Sequence, residues 1–229
     1  MKRQIFSIML VFVAIVSNAQ NYIDLRTGFS WLQADAWNTT IQTYNETRFW
    51  QESPLTELKH ASSFGLAFSG VLGKGFFLSP SIQYKKFSAK SNLERIDLHW
   101  LDLGLACDIY PLEFRMDSVS FRLRPFVRIG FAGSMLLARI ALANGPASID
   151  GETFAPYNWP YLLHTGIGLR YQPRNVLGFF ILIDASTSPN ASITDFRTAL
   201  LGSLYANTKD ENRALQLGLH AGLTFRLKN

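Results

Sequence analysis

Twelve ionisable side chains of this 229-residue chain fall in stretches where apolar and polar residues alternate. In an extended strand, such alternation places the polar residues of a stretch on one face. Acids, bases and imidazoles that share an enclosed face could form ion pairs or carry protons. Ion pairs are expected because an unpaired ion in an enclosed space is costly. The twelve are Asp24, Arg26, Asp102, Asp108, Arg122, Arg124, Arg128, His164, Arg170, Asp184, His220 and Arg226.

A base and a nucleophile also occur two residues apart, as His60 and Ser62. On a strand this spacing puts both side chains on one face, and it resembles the His-x-Ser of lipid A deacylases. No carboxylate of known position stands beside them, so the constellation is incomplete. His99, His164 and His220 lack a metal-ligand spacing, and no nucleotide-binding glycine motif occurs. The sequence therefore predicts no catalytic residue, no metal and no cofactor.

Eight alternating stretches predict the strands that position these side chains. They are residues 23–32, 62–72, 76–87, 98–109, 120–137, 161–171, 179–187 and 214–227. Pro80 and Pro125 lie within two of these strands and cannot donate a backbone hydrogen bond. We therefore expect bulges or irregular pairing at both prolines.

Residue size indicates which face of the strands is inside. The polar face is rich in Gly, Ala and Ser, which fit a crowded lumen where large and small side chains interlock. Aromatic residues bracket the apolar face, as at the two interfaces of a bilayer. They are Phe76, Phe121, Tyr171, Phe179 and Phe225 at one end, and Trp31, Phe64, Tyr84 and Tyr161 at the other. The sequence predicts an all-β fold, an eight-stranded antiparallel up-and-down transmembrane β-barrel, and a soluble lipocalin-like carrier is the inverse alternative.

The two ends of the chain and the connections predict the location. Lys2 and Arg3 precede an apolar run that ends in a small-x-small site at Ala19, so residues 1–19 are expected to be a cleaved signal peptide. Residues 20–229 then form one barrel domain. The connections after the second, fourth and sixth strands are predicted to be short, and the other connections are predicted to be longer. The connection after the third strand is predicted to have about 10 residues. This alternation is typical of outer membrane barrels with both termini in the periplasm.

Composition and loop residues bear on the partners. The net charge of +5 falls to +3 without Lys2 and Arg3 of the signal peptide, which is too low to indicate nucleic acid binding, and the one Cys107 cannot form an intramolecular disulfide. The first long loop carries Trp37, Tyr44, Phe49 and Trp50, which could bind a glycan, a lipid headgroup or a protein, or pack onto the barrel mouth. Residues 144–160 and 188–212 are expected to be mobile loops. We expect a monomer whose partners are outer membrane lipid and lipopolysaccharide, with the loops available to a protein partner.

Pairing of the fourth and fifth strands tests whether the lumen charges neutralise one another. One antiparallel register sets Asp102 opposite Arg128 and Asp108 opposite Arg122, with all four side chains inside. This register predicts two ion pairs.

Two further carboxylates have predicted neighbours. Asp24 and Arg226 fall at the same end of the barrel, and Asp184 could reach His164 or His220. Such contacts would form either a plug of salt bridges or an ion or proton path. A path needs open, water-filled space, and eight strands close too tightly for it, so the sequence favours the plug.

The segment from Leu98 to Leu112, LHWLDLGLACDIYPL, followed by Arg124-Pro125-Phe126, resembles PorT-like and OmpX-like eight-stranded outer membrane barrels. Gly166–Tyr171 and Leu217–Phe225 extend this resemblance over nearly all the mature chain. It implies an outer membrane barrel with a structural or interaction role, and the PorT example is associated with protein secretion and gliding. A secretion component and a lipid A-modifying hydrolase therefore remain alternatives.

Overall fold

The computed structural model describes residues 21–48, 53–92, 94–114, 123–141, 153–154, 161–173, 177–188, 194–201 and 214–227. Eight long strands are β1 (Asn21–Gln33), β2 (His60–Gly73), β3 (Phe76–Lys90), β4 (Arg95–Ile109), β5 (Leu123–Ala141), β6 (Tyr161–Tyr171), β7 (Leu177–Ser188) and β8 (Ala214–Leu227). The connections contain helices α1 (Asp35–Thr47) and α2 (Thr194–Leu201), the 3₁₀ turn Pro111–Phe114 and the two-residue strand Thr153–Phe154. The predicted signal peptide lies outside the described residues.

The eight strands form one closed antiparallel barrel. Each pairs with its neighbours in chain order, and β1 pairs with β8 along thirteen residues, so the sheet has no free edge. Closure satisfies the backbone groups of every strand within the sheet, which a hydrocarbon environment requires. The predicted eight-stranded up-and-down barrel is confirmed.

Burial alternates along the strands with the apolar face outward. Leu163 and Ile167 of β6 are each 62 % exposed, whereas Arg170 of the same strand is 1 % exposed and points inward. A soluble carrier would show the reverse arrangement, with its apolar face lining the interior. The exposed aliphatic and aromatic side chains instead form a belt around the barrel that suits lipid.

The connections differ from the predicted alternation. We call the end of the barrel that carries α1 and α2 the loop end, and the opposite end, where Lys74 and Gly75 join β2 to β3, the turn end. At the loop end β3 continues to Lys90 and β4 begins at Arg95, so only residues 91–94 connect them. The predicted connection of about 10 residues is therefore wrong. At the turn end, β4 ends at Ile109 and the described part of β5 begins at Leu123, while residues 115–122 lie outside the described residues.

Neither strand proline produces a bulge, but the pairing of β3 with β2 is irregular at Pro80, which is one of the two expected outcomes. Pro80 pairs in register with β4, and Pro125 pairs in register with β6. An antiparallel residue directs its N–H to one neighbour only, so a proline removes a single hydrogen bond. The β2–β3 ladder accordingly lacks the pair at Pro80, and its register shift lies between Val71 and Gly73.

Helix α1 was not among the predicted elements, because Thr and Asn dominate its sequence and favour turns and caps over helices. Its signal is the spacing of Trp37, Ile41 and Tyr44, which places three apolar side chains on one helical face. Helix α2 likewise contradicts the expectation of a mobile loop for part of residues 188–212. Among the described residues, no helix has the length and apolar character needed to cross a membrane.

Substitution of one outward residue by arginine tests where lipid contacts the barrel. We expect Ile167→Arg, at the middle of the belt, to lower the free energy of unfolding in phospholipid vesicles by about 2–4 kcal/mol. The matched change Leu215→Arg, at the loop end, should cost about 0–1 kcal/mol. Urea titration of both variants checks this, and equal losses would contradict the proposed depth of the belt.

Candidate functional site

The interior of the barrel holds a polar network that begins at the turn end. Asp24 accepts hydrogen bonds from Arg170 (2.5 Å), Thr224 (2.7 Å) and Ser69 (3.4 Å). Ser69 in turn bonds Ser79 at 2.8 Å. The carboxylate of Asp24 thereby connects strands β1, β2, β6 and β8, and Ser79 carries the contact onward to β3.

Asp108 receives the far end of the same chain of contacts. Its two oxygens lie 2.6 and 2.7 Å from Arg128 Nε and Nη2, and Ser79 donates to it at 3.2 Å. The two-pronged geometry satisfies both carboxylate oxygens, which is the strongest arrangement for a buried pair. Asp108 and Arg128 are both almost completely buried.

Aromatic rings surround the Arg170 guanidinium. Its carbon lies 5.6 to 5.9 Å from the ring centroids of Tyr22, Tyr110, Phe126 and Phe180. These rings close the turn end of the lumen around a cation that Asp24 neutralises. Arg124 lies beside the same group, 4.5 Å from the centroid of Tyr110, and forms an ion pair with Glu113.

A second group of contacts lies nearer the middle of the barrel. Lys85 Nζ is 2.9 Å from Asp102 and donates to Gln216 at 2.6 Å, while Ser134 donates to Asp102. Because the Lys85 side chain is only 4 % exposed, the Asp102 carboxylate provides the charge that this buried ammonium requires.

Ser63, His220 and Asp184 form a line of contacts that resembles a hydrolytic triad. Ser63 Oγ lies 3.2 Å from His220 Nδ1, and Asp184 Oδ1 lies 3.2 Å from His220 Nε2. In the serine hydrolase template the serine contacts Nε2 and the carboxylate contacts Nδ1, so the ring is reversed here. Ser63 is also fully buried, so no substrate carbonyl can reach its hydroxyl. The geometry supports a packed polar contact.

A small cavity of about 20 Å³ lies beside these residues. Arg26, Gln83, Asp102, His164 and Asp184 are among its lining residues. Arg26 Nε and the Gln83 amide nitrogen have no hydrogen-bond partner within the described part of the chain. The volume is enough for about one water molecule, which could bond both donors.

Glycines on neighbouring strands provide the space for these large side chains. A Cβ atom at Gly218 would overlap the Asp184 carboxylate and the His220 imidazole, and one at Gly65 would overlap Arg26. A Cβ at Gly222 would overlap the Phe180 ring. The small residues on the polar face are therefore a geometric requirement of the filled lumen.

The loop end of the lumen is filled by apolar residues beneath the helices. Trp37 of α1 packs on Phe196 of α2 with ring centroids 4.7 Å apart. Tyr44 donates to Glu94 at 2.8 Å, and burial together with this hydrogen bond raises the pKa of Tyr44. Trp100 is among the buried residues of the same cluster. We call α1, α2 and this apolar cluster the cap.

The predicted positions of several charges need correction. Asp108, and not Asp102, lies opposite Arg128, whereas Asp102 lies opposite Ser134, so the predicted register was wrong by six residues. The alternation of inward and outward side chains could not reveal this error, because shifting the register by an even number of residues keeps the same side chains inside. Arg122 lies outside the described residues.

The other predicted contacts have mixed outcomes. Asp24 lies opposite Thr224, and its cation is Arg170 and not Arg226. Asp184 contacts His220, one of its two expected partners, while His164 lines the small cavity. Sequence reasoning did not select the polar partners Lys85, Ser63, Ser69, Ser79, Gln216 and Thr224. The signal that could have found them is their position in the strands, because they alternate in step with the charged residues that face the lumen.

His60 and Ser62 lie on the outer face of β2 at the loop end, and both are exposed. The nearby carboxylate of Glu57 pairs with Lys59 at 2.8 Å. Within the described ranges no carboxylate contacts His60, so the constellation stays incomplete.

Comparison with known proteins identifies the fold. No family model matches the chain, and no curated sequence matches it. The crystal structure of Neisserial surface protein A is similar, with a TM-score of 0.52 and 10% identity over 92% of this chain and 100% of that one. OprG from Pseudomonas aeruginosa has a TM-score of 0.47 and 10% identity over 92% of this chain and 97% of that one. Ail of Yersinia pestis has a TM-score of 0.46 and 11% identity over 91% of this chain and 100% of that one. The chain has the fold of the eight-stranded outer membrane β-barrels.

Proposed function

We propose that this chain is a closed outer membrane barrel with a structural or interaction role at its loop end. The observation that carries the proposal is the filled interior, which has ionic contacts and aromatic rings near the turn end and the apolar cap at the loop end. The lumen cavity lined by Arg26, Asp102 and His164 has a volume of about 20 Å³, enough for about one water molecule and too small for a hydrated ion. The lumen network acts as a plug.

The lengths of the connections support the proposed orientation. The loop end carries both helices and the longer connections, and barrels of this class place such loops outside the cell and short turns in the periplasm. Both chain termini then lie in the periplasm. The lipid belt contacts the outer membrane, with lipopolysaccharide around the loop end.

The outer surface of the cap is the surface we assign to a partner. Trp37 and Tyr44 are buried beneath it, so packing explains these two aromatics and binding does not. Phe49 and Trp50 lie outside the described residues. The exposed side of α1 instead presents the polar residues Asp35, Thr39, Gln42 and Glu46. A protein partner would meet a polar helical surface on a rigid support.

The other hypotheses stay predictions. The secretion role implied by the PorT-like resemblance has no observation in its favour beyond the barrel itself. The hydrolase hypothesis has only the shared face of His60 and Ser62.

Conductance measurements test the closed lumen. We expect the refolded chain to give no stepwise current in planar lipid bilayers. The same preparation should show faster electrophoretic mobility before heating than after, which establishes that folded barrels were present. Stepwise currents of porin size would overturn the plug.

Removal of one partner tests the buried pair between Asp108 and Arg128. We expect Arg128→Met to lower the free energy of unfolding by about 3–5 kcal/mol, because Asp108 is left buried without a cation. The double variant Arg128→Met/Asp108→Asn should recover most of this loss. The control Arg226→Met, which removes a half-buried guanidinium, should cost about 0.5 kcal/mol or less. Additive losses in the double variant would contradict a coupled pair.

Limited proteolysis tests whether the cap is a distinct unit. We expect Trp37→Ala to accelerate cleavage between residues 34 and 59 at least about tenfold, because a large buried side chain is lost. The barrel should keep its heat-modifiable mobility. The control Gln42→Ala alters only an exposed contact with Glu46 and should cleave like the unmodified chain. Loss of the whole barrel in Trp37→Ala would show that the cap and the strands form one unit.

A further inference from the structure

Cationic side chains gather on the outer face of β3, β4 and β5 near the loop end. The registers place Lys86 beside His99, and Lys90 beside Arg95. They also place Asp97 beside Arg139. These six residues occupy the alternate strand positions whose side chains face lipid, and not the positions whose side chains face the lumen. We call them the cationic patch.

One carboxylate organises part of the patch. Asp97 accepts hydrogen bonds from Ser88 at 2.6 Å and Arg95 at 2.8 Å, and Lys86 Nζ lies 3.0 Å from its second oxygen. The side chains of Lys86 and Arg95 remain 34 % and 46 % exposed, so their outer surfaces are open to a ligand. Asp97 therefore positions two cations and neutralises only one.

The side chains of the two remaining cations of the patch, Lys90 and Arg139, have no ionic partner among the described residues. The exposed side chains of Lys90 and Arg139 form no hydrogen bond or ion pair with any residue that the structure describes. The patch holds four permanent cations, two lysines and two arginines, against one carboxylate, a net charge of +3. An anion of more than one charge would complement it.

The patch lies directly against the lipid belt. Tyr84 and Leu101, the outward pair one step closer to the turn end, are apolar or aromatic, and Tyr84 OH bonds His99 Nδ1 at 2.6 Å. A tyrosine with its ring toward hydrocarbon and its hydroxyl toward polar groups is typical of a membrane interface. The cations thus lie at the level of lipid headgroups.

The described loop-end residues on the outer faces of β1, β7 and β8 carry no such charge. Among the described outward residues at the ends of β1, β7 and β8 are Gln33, Thr187, Leu215 and Leu217, which are all uncharged. Among these described strand ends, the positive charge therefore gathers on β3, β4 and β5 and is absent from β1, β7 and β8.

We propose that the cationic patch binds the phosphates of a phosphorylated glycolipid of the lipid A type in the outer leaflet. The acyl chains of the lipid contact the apolar belt below Tyr84, and its phosphates contact the ammonium and guanidinium groups above it. A soluble anion would use only the charges, so the continuity with the belt favours a lipid. This inference rests on the orientation given in the proposed function.

The test compares two variants that each lose two cations. Lys90→Gln/Arg139→Gln removes the two patch cations whose side chains form no hydrogen bond or ion pair with a described residue. Lys59→Gln/Lys74→Gln removes the same charge elsewhere, at the exposed Lys59 of the loop end and the Lys74 of the β2–β3 turn. The probe is bisphosphorylated lipid A, titrated into the full chain in non-ionic detergent micelles and followed by native mass spectrometry.

We expect the patch variant to bind lipid A about thirtyfold more weakly, since each basic residue near an anionic surface contributes about a factor of five. The control variant should bind within about twofold of the unmodified chain, and dephosphorylated lipid A should bind the unmodified chain as weakly as the patch variant binds lipid A. Equal weakening in both variants would overturn the patch in favour of general charge attraction. Undiminished binding of dephosphorylated lipid A would overturn phosphate recognition.

Two further measurements separate the causes of failure. Inorganic phosphate that displaces lipid A at equal concentration would overturn the lipid assignment in favour of a soluble anion. Heat-modifiable mobility is recorded for every variant. Its absence in the unmodified chain would contradict the proposed barrel itself, whereas folded barrels with equal affinities contradict only the patch.

Discussion

The structure depends on one constraint, namely that the interior of an eight-stranded barrel is too narrow for bulk water. A charged side chain that points inward must therefore find its partner among the other inward side chains. Asp24 and Asp108 meet this constraint through Arg170 and Arg128, and Ser69 and Ser79 join the two pairs. The result is a network that spans strands from both ends of the chain.

The same constraint determines where large and small residues lie. Arginines, phenylalanines and a histidine fill the lumen only because glycines stand next to them on adjacent strands. On the outside there is no such limit, and the outward residues of the belt vary in size while being mostly apolar. Side-chain size is therefore restricted inside the barrel and not outside it. The cationic patch at the loop end is an exception to the mostly apolar outer face.

The sequence predicted the strands well, because period-two alternation gives both their existence and their inward faces. It predicted the charged interior for the same reason. It did not predict which charges meet, since Asp108 reaches Arg128 in a register that shares its parity with the incorrect one. Helix α1 was missed because Thr-rich and Asn-rich sequence has low helix propensity, and its three apolar residues become decisive only once the barrel mouth offers a surface to cover. Lys85 was passed over because a lone lysine on a strand is ordinarily solvated, and only the closed sheet brings Asp102 beside it.

The lumen contacts also join parts of the chain that are far apart in sequence. Asp24 bonds residues 146 and 200 positions away, and Ser63 bonds a histidine 157 positions away. A nascent chain that ends before β8 would carry Ser63 and Asp184 without the His220 imidazole that contacts both, in a sheet whose first strand still has an open edge. Assembly is therefore cooperative and slow, as for other folds of high contact order. Arrival of the last strand, β8, closes the sheet and completes these contacts.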